Sequence, residues 1–368
     1  MLRFCFVMEQ TLGHVTHTQN LARWTEQASD IAATWIHVKP EGSDIWEKLP
    51  GIRGNWSLKA SLRAKDALNA YLQTETPNAL FFHTQTLSLF SPSFIKRIPG
   101  IVSLDATPIN YDTVGEAYGH KPGSGWLEKQ KFNWYRSIFE QATALTTWCH
   151  WAKESLVSDY GVTADKVTVI PPGVDMANWS FGREKAERPQ EESRPLRLLI
   201  VGGDFERKGG RYLIAAYRTK LHETCTLDIV TKEAWVQEEL EGVAGAKVHY
   251  GLTANSAPLK ALYANADVFV FPTLADCLPI AVMEAMAAGL PVVATDVGAL
   301  REEVIPNRNG LIVPPKDAPA IVAAVLDLVQ DNKRRQSMAQ QSRLLAEKTF
   351  NAETNYNAIL DLMRSIAK

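Results

Sequence analysis

The sequence lacks the features that mark several large classes of protein. Its four cysteines, at positions 5, 149, 225 and 277, form no CxxC pair and no His/Cys cluster at metal-ligand spacing. No apolar run approaches the roughly 18 residues that a membrane-spanning helix needs, and the first apolar run reaches Glu9 too early for a signal peptide. We therefore expect a cytoplasmic protein with reduced thiols, no bound metal and no transmembrane helix.

An excess of charge of one sign is absent as well. With 39 Lys and Arg residues against 41 Asp and Glu residues, the formal net charge is −2, so a nucleic acid has no overall electrostatic attraction to this chain. A small basic group, Arg53, Lys59, Arg63 and Lys65, would suit an anionic membrane surface, but a solvated helix face explains it equally well. Peripheral contact with a membrane therefore stays open.

What the chain does contain is enough apolar sequence for more than one core. Its 368 residues, 46% of them hydrophobic, favour two domains of ordinary size. Helical stretches such as 62–74 and 134–141 alternate with apolar runs that predict strands at 2–8, 33–38, 79–83, 100–104 and 144–148. This alternation is typical of an α/β fold, in which helices cover both faces of a parallel sheet.

The same pattern starts again at residue 196, where LRLLIVGG is followed by further strands and helices. One αβ pattern that occurs twice indicates two Rossmann-like domains with a cleft between them. Segment 181–195 is polar and charged, so it is the best candidate for a linker. We therefore predict domains over 1–180 and 196–350, and a final helix over 351–368 whose apolar stripe needs a surface to pack on.

The most informative stretch is ADVFVFPTLADCLPIAVMEAMAAGLPVVATD, residues 266–296. Two apolar, β-branched runs flank helix formers that follow Pro279 and stop before Gly289, which predicts a strand–loop–helix–strand unit. Glu284 is the single charged residue between positions 277 and 295. A lone carboxylate on a mostly apolar helix is costly unless it is paired, so we expect either ligand hydroxyls or a structural Arg or Lys beside it. Asp276, in the loop before the helix, faces the same space.

A second candidate site opens the second domain. VGGDFERKGG, residues 201–210, is the end of a strand, a glycine-containing loop and the start of a helix. Arg207 and Lys208 lie where the helix begins, and positive charge there is unfavourable for the helix itself. Both cations would suit an anionic ligand such as a phosphate; the alternative is a solvated basic turn.

In the first domain, polar residues follow two of the predicted strands. Asp105 comes directly after strand 100–104, at the carboxyl end of its sheet. It either contacts a bound ligand or, together with Thr107, caps the turn that follows. Gly13 is the single glycine of the first βα loop, so the GxGxxG dinucleotide fingerprint is not met. His14 and His17 follow it, and either one of them contacts an acceptor or phosphate or both are structural.

Three motifs in this order, VTVIPPGVD, VGGDFERKGG and DCLPIAVMEAMAAGLPVVAT, resemble those of the family 4 retaining glycosyltransferases. The resemblance covers the whole second domain and weakens over the first 140 residues. It implies the GT-B fold, in which two Rossmann-like domains face each other across a cleft. The first would be the acceptor side, the second would bind the nucleotide-sugar donor, and the last helix would cross back to the first.

By this resemblance the protein is a retaining, metal-independent enzyme of the hexosyltransferase class, without a cofactor. It would move a sugar from a nucleoside-diphosphate sugar to a hydroxyl acceptor, which is a glycan, a lipid or a small metabolite. Two other functions stay open: a noncatalytic sugar-nucleotide-binding partner of a transferase, and a GT-B sugar-nucleotide epimerase. The sequence names neither the donor base and sugar nor the acceptor.

The resemblance also implies roles for individual residues. Glu284 would bind the ribose of the donor, and Lys208 would bind its diphosphate. Asp276 would contact the hydroxyls of the transferred sugar, although the family usually has Glu there and Asp is shorter by one methylene. Many relatives carry His near Asp105, where it contacts the donor sugar, so Asp105 would hydrogen-bond a sugar hydroxyl or assist the acceptor. Gly13 matches the loop glycine that lets family members approach the donor phosphates.

Two further positions depart from the family pattern. Gly203 stands where the family usually has its diphosphate-binding arginine, and Arg207 is the candidate replacement. Pro279 stands where the family often has glycine, and proline has no N–H to donate to a ligand. The loop amides left to donate are those of Leu278 and Ile280.

Overall fold

The computed structural model describes residues 1–119, 125–187 and 194–368. Contacts between residues divide this part of the chain into two units. Unit 1 holds residues 1–112, 125–173 and 352–368, and unit 2 holds residues 113–119, 174–187 and 194–351. Each unit has its own sheet and its own hydrophobic core.

The strands of the described residues form two parallel sheets of six strands each. Their bounds are β1 Leu2–Glu9, β2 Ile31–Val38, β3 Ala79–His83, β4 Gly100–Leu104, β5 Ala144–Thr147, β6 Val167–Val169, β7 Leu196–Val201, β8 Cys225–Val230, β9 Ala246–His249, β10 Val268–Phe271, β11 Val292–Thr295 and β12 Gly310–Val313. The order is β2-β1-β3-β4-β5-β6 in unit 1 and β12-β11-β10-β7-β8-β9 in unit 2. Every paired neighbour runs parallel.

The helices connect these strands, as parallel neighbours require. Their bounds are α1 Leu12–Thr25, α2 Trp56–Tyr71, α3 Pro92–Arg97, α4 Pro108–Val114, α5 Trp126–Gln141, α6 His150–Ser158, α7 Phe181–Glu187, α8 Gly210–Thr219, α9 Trp235–Glu239, α10 Ala257–Asn265, α11 Ile280–Ala287, α12 Leu300–Glu303, α13 Ala318–Gln330, α14 Asn332–Thr349 and α15 Ala352–Ile366. The predicted α/β fold with two Rossmann-like units is confirmed.

The first strand shows why its sequence is an almost unbroken apolar run. Phe4 to Met8 are all fully buried, and successive side chains of a strand point to opposite faces of its sheet. Phe4 and Phe6 pack in the cluster that contains α15, whereas Cys5 and Val7 pack in the cluster that contains α2. Because helices cover both faces, both sets of side chains must be apolar.

The final helix, α15, packs within unit 1. Its apolar stripe of Tyr356, Ile359, Leu360 and Met363 is at most 2% exposed, and it lies in one cluster with residues of β1 and β3. At the far end of the helix, Arg364 pairs with Asp30 at 2.8 Å. The predicted apolar stripe therefore has its partner in the first sheet.

The unit boundaries differ from those predicted. The first boundary falls after Gly173, whereas the sequence suggested residue 180. The predicted linker, 181–195, begins with α7, and a Cβ added at Gly182 of that helix would lie 2.0 Å from the carbonyl oxygen of Ala287. This close packing makes α7 part of unit 2. Residues 188–193 of the linker lie outside the described residues.

The basic group proposed for membrane contact is partly neutralised. Lys59 pairs with Glu47 at 2.7 Å, and Arg63 forms ion pairs with Asp44 and Glu47. Both cations are therefore held by carboxylates and do not form one solvated basic face with Arg53. No helix among the described residues is long and apolar enough to cross a membrane.

Candidate functional site

The β10–α11–β11 unit positions the predicted donor-site carboxylates. Pro279 precedes α11 in an extended conformation, and Gly289 follows it at φ 67°, a left-handed conformation that glycine adopts without steric cost. The helix connects β10 to β11, and its residues 282–287 are at most 6% exposed. The predicted strand–loop–helix–strand unit is confirmed, and it leaves Glu284 inside the protein.

Glu284 has a neutral partner in unit 2. Its Oε2 accepts a hydrogen bond of 3.0 Å from the hydroxyl of Tyr263 on α10. Burial raises the pKa of Glu284 to about 7, while the Tyr263 bond and the charge of Lys260 act in the opposite direction. No ion pair with an Arg or Lys is formed by this carboxylate within the described chain. The protein partner of Glu284 is therefore a tyrosine, and the alternative of a structural Arg or Lys is not met.

Asp276 lies in the loop between β10 and α11 and is 9% exposed. Its Oδ2 accepts a hydrogen bond from the ammonium of Lys208, lies 3.5 Å from the guanidinium of Arg207, and accepts a 3.3 Å bond from the Thr273 hydroxyl. The loop backbone packs tightly as well, since a Cβ at Gly298 would lie 2.0 Å from the carbonyl oxygen of Asp276. The carboxylate is therefore held in one place between two cations.

Lys208 reaches Asp276 along a tightly packed path. Its side chain is 13% exposed, and its ammonium lies 4.8 Å from the centre of the Phe271 ring. A Cβ at Gly202 would lie 2.7 Å from Cγ of Lys208, so the glycine makes room for the lysine stem. Burial lowers the pKa of Lys208, and the charge of Asp276 opposes that effect. The result is an ammonium group largely removed from water and compensated by one carboxylate.

Arg207 is buried more deeply, with a side chain that is 3% exposed. Its Nε donates to Asp204 at 2.7 Å, and its Nη1 donates to the carbonyl of Ala275 at 2.6 Å. The guanidinium also lies 4.4 Å from the ring centre of Tyr118 and donates to the Tyr118 hydroxyl at 3.2 Å. Arg207 thus joins three segments of unit 2, and this geometry favours orienting the Asp276 loop over direct contact with a diphosphate.

The structure brings three of the predicted donor residues into contact with one another. Arg207 and Lys208 meet Asp276 directly, and α8 begins at Gly210, immediately after them. Leu278 and Ile280, which are 4% and 8% exposed, lie between the two carboxylates in sequence. The remaining predicted residues, Asp105 and Gly13, belong to unit 1.

Three residues of unit 2 were missed by sequence reasoning. Tyr118 and Tyr263 contact predicted site residues from distant positions in the chain. Glu303, on α12, is fully buried, and neither of its carboxylate oxygens has a hydrogen-bond partner among the described residues. Burial raises the pKa of Glu303 well above its usual range, and the charge of Asp276 adds to the effect. Nothing in the sequence separates Glu303 from its partly exposed neighbour Glu302.

In unit 1, α1 begins before the glycine that the sequence predicted to lie in the preceding loop. Its first residue is Leu12, so Gly13 lies in the first helical turn and is exposed instead of sitting in a loop. Asp105 follows β4, as expected, and its Oδ2 lies 3.9 Å from Nε2 of His14. Capping of the next turn involves Thr107, whose hydroxyl oxygen accepts a 3.1 Å bond from the N–H of Asn110.

The two histidines that follow Gly13 have different environments. His17 is fully buried and packs against the rings of His83, Trp148 and Tyr356. Burial lowers the pKa of His17 to about 3, and neither of its ring nitrogens has a hydrogen-bond partner in the described structure. This environment favours a packing role for His17. His14 lies one turn earlier, and its side chain is 13% exposed.

Two family models match the chain. The model described as Glycosyltransferase Family 4 matches residues 13–178, and the model described as Glycosyl transferases group 1 matches residues 195–331. The first match takes in most of the unit 1 sheet. The second contains the cluster formed by Arg207, Lys208 and Asp276, together with Glu284.

Similar proteins include a glycogen synthase and a D-inositol 3-phosphate glycosyltransferase. Glycogen synthase from Mycobacterium tuberculosis is 28% identical over 243 residues, which are 63% of this chain and 56% of that protein. The D-inositol 3-phosphate glycosyltransferase of Paenarthrobacter aurescens is 28% identical over 206 residues, which are 53% of this chain and 50% of that protein. The chain thus spans about half the length of these relatives.

Solved structures resemble the whole chain at low sequence identity. Sucrose-phosphate synthase from Thermosynechococcus elongatus has a TM-score of 0.78 at 18% identity and covers 100% of this chain and 99% of its own. Anabaena HepE in complex with UDP has a TM-score of 0.69 at 14% identity and covers 99% of this chain and 100% of its own. Such likeness shows the fold, which is the GT-B fold expected from the motifs. Both family models describe glycosyltransferases and between them match most of both units, so the chain carries the signature of the family 4, GT-B glycosyltransferases.

Proposed function

We propose that this protein is a retaining, metal-independent glycosyltransferase that moves a sugar from a nucleoside-diphosphate sugar to a hydroxyl acceptor. The observation that carries the proposal is the convergence of Lys208 and Arg207 on the carboxylate of Asp276. A diphosphate offers the same kind of charged oxygen acceptors, so it suits Lys208, while Arg207 keeps the Asp276 loop in position. The N-terminus of α8 follows directly and favours an anion at the same place.

The chemistry of transfer explains why these groups would be needed. The bond between the anomeric carbon and the diphosphate breaks, and negative charge develops on the leaving diphosphate. Lys208 suits this charge because it is largely removed from water, where electrostatic interactions are stronger. A protein cation placed here supplies the stabilisation that a divalent metal supplies elsewhere. This reasoning is the basis for the proposed metal independence.

The two carboxylates would each bind a different part of the donor. Glu284 would accept hydrogen bonds from ribose hydroxyls, in addition to its bond from Tyr263. Asp276 would turn from Lys208 to hydroxyls of the transferred sugar once the diphosphate takes over the lysine. After this exchange Lys208 is paired with the diphosphate and Asp276 is bonded to the sugar hydroxyls. Neither buried charge is then left without a partner.

The comparisons suggest which donors to test first. Anabaena HepE has been crystallised in complex with UDP and with UDP-glucose, and glycogen synthase is among the similar proteins. Those ligands and activities belong to those proteins. We propose a nucleoside-diphosphate hexose as the donor class here and start from the UDP-sugars.

The proposal is tested by incubating the protein with UDP-, GDP- and ADP-hexoses and a panel of hydroxyl acceptors. We expect nucleotide release that depends on one donor and one acceptor, with the anomeric configuration of the product the same as that of the donor by NMR. Thermal denaturation with each free nucleotide measures binding separately. If no donor causes either nucleotide release or a thermal shift, the transferase proposal is refuted.

The same experiment separates the two alternatives. A thermal shift with a nucleotide sugar but no release with any acceptor would favour a noncatalytic binding partner of a transferase. Conversion of one nucleotide sugar into its isomer, without nucleotide release, would favour an epimerase. Lys208 beside Asp276 would hold the diphosphate in all three cases, so these outcomes decide between them.

A further inference from the structure

A lysine without an assigned role lies at the same end of the unit 2 sheet as Lys208. Lys232 is exposed, and it forms no hydrogen bond or ion pair with any residue in the described parts of the chain. It lies two positions after the end of β8, and Gly203 lies two positions after the end of β7. The two strands are parallel neighbours that pair Val201 with Val230. Both residues therefore lie at one carboxyl edge, where open α/β sheets bind ligands.

Two consecutive glycines make room for two lysines at this edge. A Cβ at Gly202 would lie 2.7 Å from Cγ of Lys208, and a Cβ at Gly203 would lie 3.5 Å from Cδ and 3.7 Å from Cε of Lys232. The stem of each lysine thus lies over the backbone of one glycine, so a long side chain at position 203 would take the space that Lys232 occupies. One of these lysines comes from the loop after β7 and the other from the loop after β8.

The loop that carries Lys232 is fixed to the loop that carries Gly203. The carboxylate of Glu233 accepts a 2.7 Å hydrogen bond from the backbone N–H of Phe205, and it accepts a second bond from the indole N–H of Trp235. The carboxylate next to Lys232 in sequence is therefore occupied by neutral donors. Lys232 is held beside Gly203, and no carboxylate of the described residues forms an ion pair with it.

The proposed diphosphate site needs a second cation. A diphosphate carries more than one negative charge at neutral pH, so it binds best to more than one cation. Arg207 is held by Asp204 at 2.7 Å, which leaves Lys208 as the cation for the ligand. The resemblance to the family places an arginine at position 203, where this chain has Gly203. Lys232 is the cation whose stem lies over that glycine.

We propose that Lys232 binds the diphosphate of the donor as its second cation and takes the place of the arginine that this chain lacks at position 203. This inference rests on the proposed function. The ammonium group of Lys232 donates charge-assisted hydrogen bonds to phosphate oxygens. Lys208 has to exchange Asp276 for the diphosphate, whereas Lys232 has no carboxylate to leave among the described residues. Gly203 is needed because it leaves space for the lysine stem.

The test compares Lys232→Ala with Lys247→Ala, which removes an exposed lysine from β9 of the same sheet. Calorimetry with UDP, GDP and ADP first identifies a nucleoside diphosphate that wild type binds. We expect its Kd to rise about tenfold or more in Lys232→Ala, as for loss of a hydrogen bond between charged groups, and to stay unchanged in Lys247→Ala. Urea denaturation should show that both variants fold, since both lysines are exposed.

The matching nucleoside, which has no phosphate, shows which part of the donor Lys232 contacts. Its Kd, measured by NMR titration, should be the same in Lys232→Ala and in wild type. A loss of affinity for the diphosphate alone assigns the lysine to the phosphates. An equal loss for the nucleoside and the diphosphate would place Lys232 at the base or the ribose and would overturn the inference.

Two further variants test whether Lys232 replaces an arginine at position 203. Lys232→Arg keeps the charge and should retain most of the affinity for the diphosphate. Gly203 has a negative φ, so other residues can adopt its backbone conformation. When Gly203→Arg is combined with Lys232→Ala, the new side chain enters the space that the lysine has left, and the Kd should return toward that of wild type. A double variant that binds no better than Lys232→Ala would overturn the proposed replacement.

The outcomes are distinguishable from those that test the proposed function. If wild type binds a nucleoside diphosphate and Lys232→Ala binds it equally well, the role of Lys232 is wrong and the proposed function stands. If wild type binds none of the three diphosphates and releases no nucleotide from any nucleotide sugar, the proposed function fails, and the role of Lys232 fails with it.

Discussion

The ammonium of Lys208 donates a hydrogen bond to Oδ2 of Asp276, and neither side chain is more than 13% exposed. These residues are 68 positions apart in the chain, and each offsets the charge that the other brings into the protein. Because both are also predicted donor-site residues, removing either one affects folding and chemistry together. Activity and stability must therefore be measured on the same variant.

Lys208→Ala should lower kcat by about 10²-fold or more, because the leaving diphosphate loses a buried cation. The matched control is Lys247→Ala, which removes an exposed lysine from the same unit. Initial rates with the active donor, and urea denaturation of each variant, measure activity and stability. Unchanged turnover in Lys208→Ala would exclude the diphosphate role.

Glu284→Gln should weaken UDP binding at pH 8, because a neutral amide is a poorer acceptor for ribose hydroxyls than a carboxylate. In wild type, where burial raises the pKa of Glu284 to about 7, affinity should fall as the pH drops from 8 to 6. The pH dependence should be smaller in the variant. Calorimetric titration with UDP at three pH values tests this, and equal Kd values for both proteins would contradict the ribose assignment.

Ionisation of Glu284 should have opposite effects on UDP binding and on stability: it strengthens binding and lowers the free energy of unfolding. Between its ordinary pKa of 4.5 and its folded pKa of about 7, the folded protein binds more protons at Glu284 than the unfolded chain does. The free energy of unfolding therefore falls as the pH rises through this range, and the loss is complete above about 7. Glu284→Gln should be more stable than wild type at pH 8 and about equal at pH 4.5, by urea denaturation.

Gly182→Ala should destabilise the protein by about 1–3 kcal/mol or more, as expected for overpacking. The added Cβ would lie 2.0 Å from the carbonyl oxygen of Ala287, and neither backbone segment has room to retreat without moving α7 or α11. Gly54→Ala is the control, since a Cβ there has no atom within 4 Å. If the free energy of unfolding falls no more in Gly182→Ala than in Gly54→Ala, α7 is only loosely attached, as a linker would be.

Exhaustive dialysis against EDTA should leave transfer largely unchanged. The reason is that Lys208 and the start of α8 supply the positive charge at the proposed diphosphate site. The measurement is the initial rate before and after dialysis, followed by addition of Mg²⁺ or Mn²⁺. A rate that is lost on dialysis and restored by a metal would contradict the metal-independent mechanism.

Sequence reasoning worked best where a signal is local. The helix start after Pro279, the left-handed glycine at 289 and the isolated Glu284 all lie within eleven consecutive positions. Turn chemistry, helix capping and charge against an apolar background are properties of neighbouring residues. The predicted βαβ unit and its carboxylates therefore appear in the structure where they were expected.

Sequence reasoning was less successful where the packing of a segment was inferred from its composition. Segment 181–187 is polar enough to suggest a linker, but it forms α7, because Gly182 allows a close approach to α11. Lys59 and Arg63 suggest a basic face, but Asp44 and Glu47 neutralise them from another part of the chain. A count of charged residues does not show which of them form ion pairs.

The sequence by itself determined the alternation of strands and helices, the order of the donor motifs and the presence of two carboxylates and two cations in unit 2. These depend on periodicity, spacing and residue type along the chain. Tertiary structure alone decided that Tyr263 is the partner of Glu284, that Arg207 is tied to Tyr118, and that His14 rather than His17 faces Asp105. Each of these contacts joins residues from different elements, and parallel strands with helical crossovers bring such residues together through packing that no local pattern records.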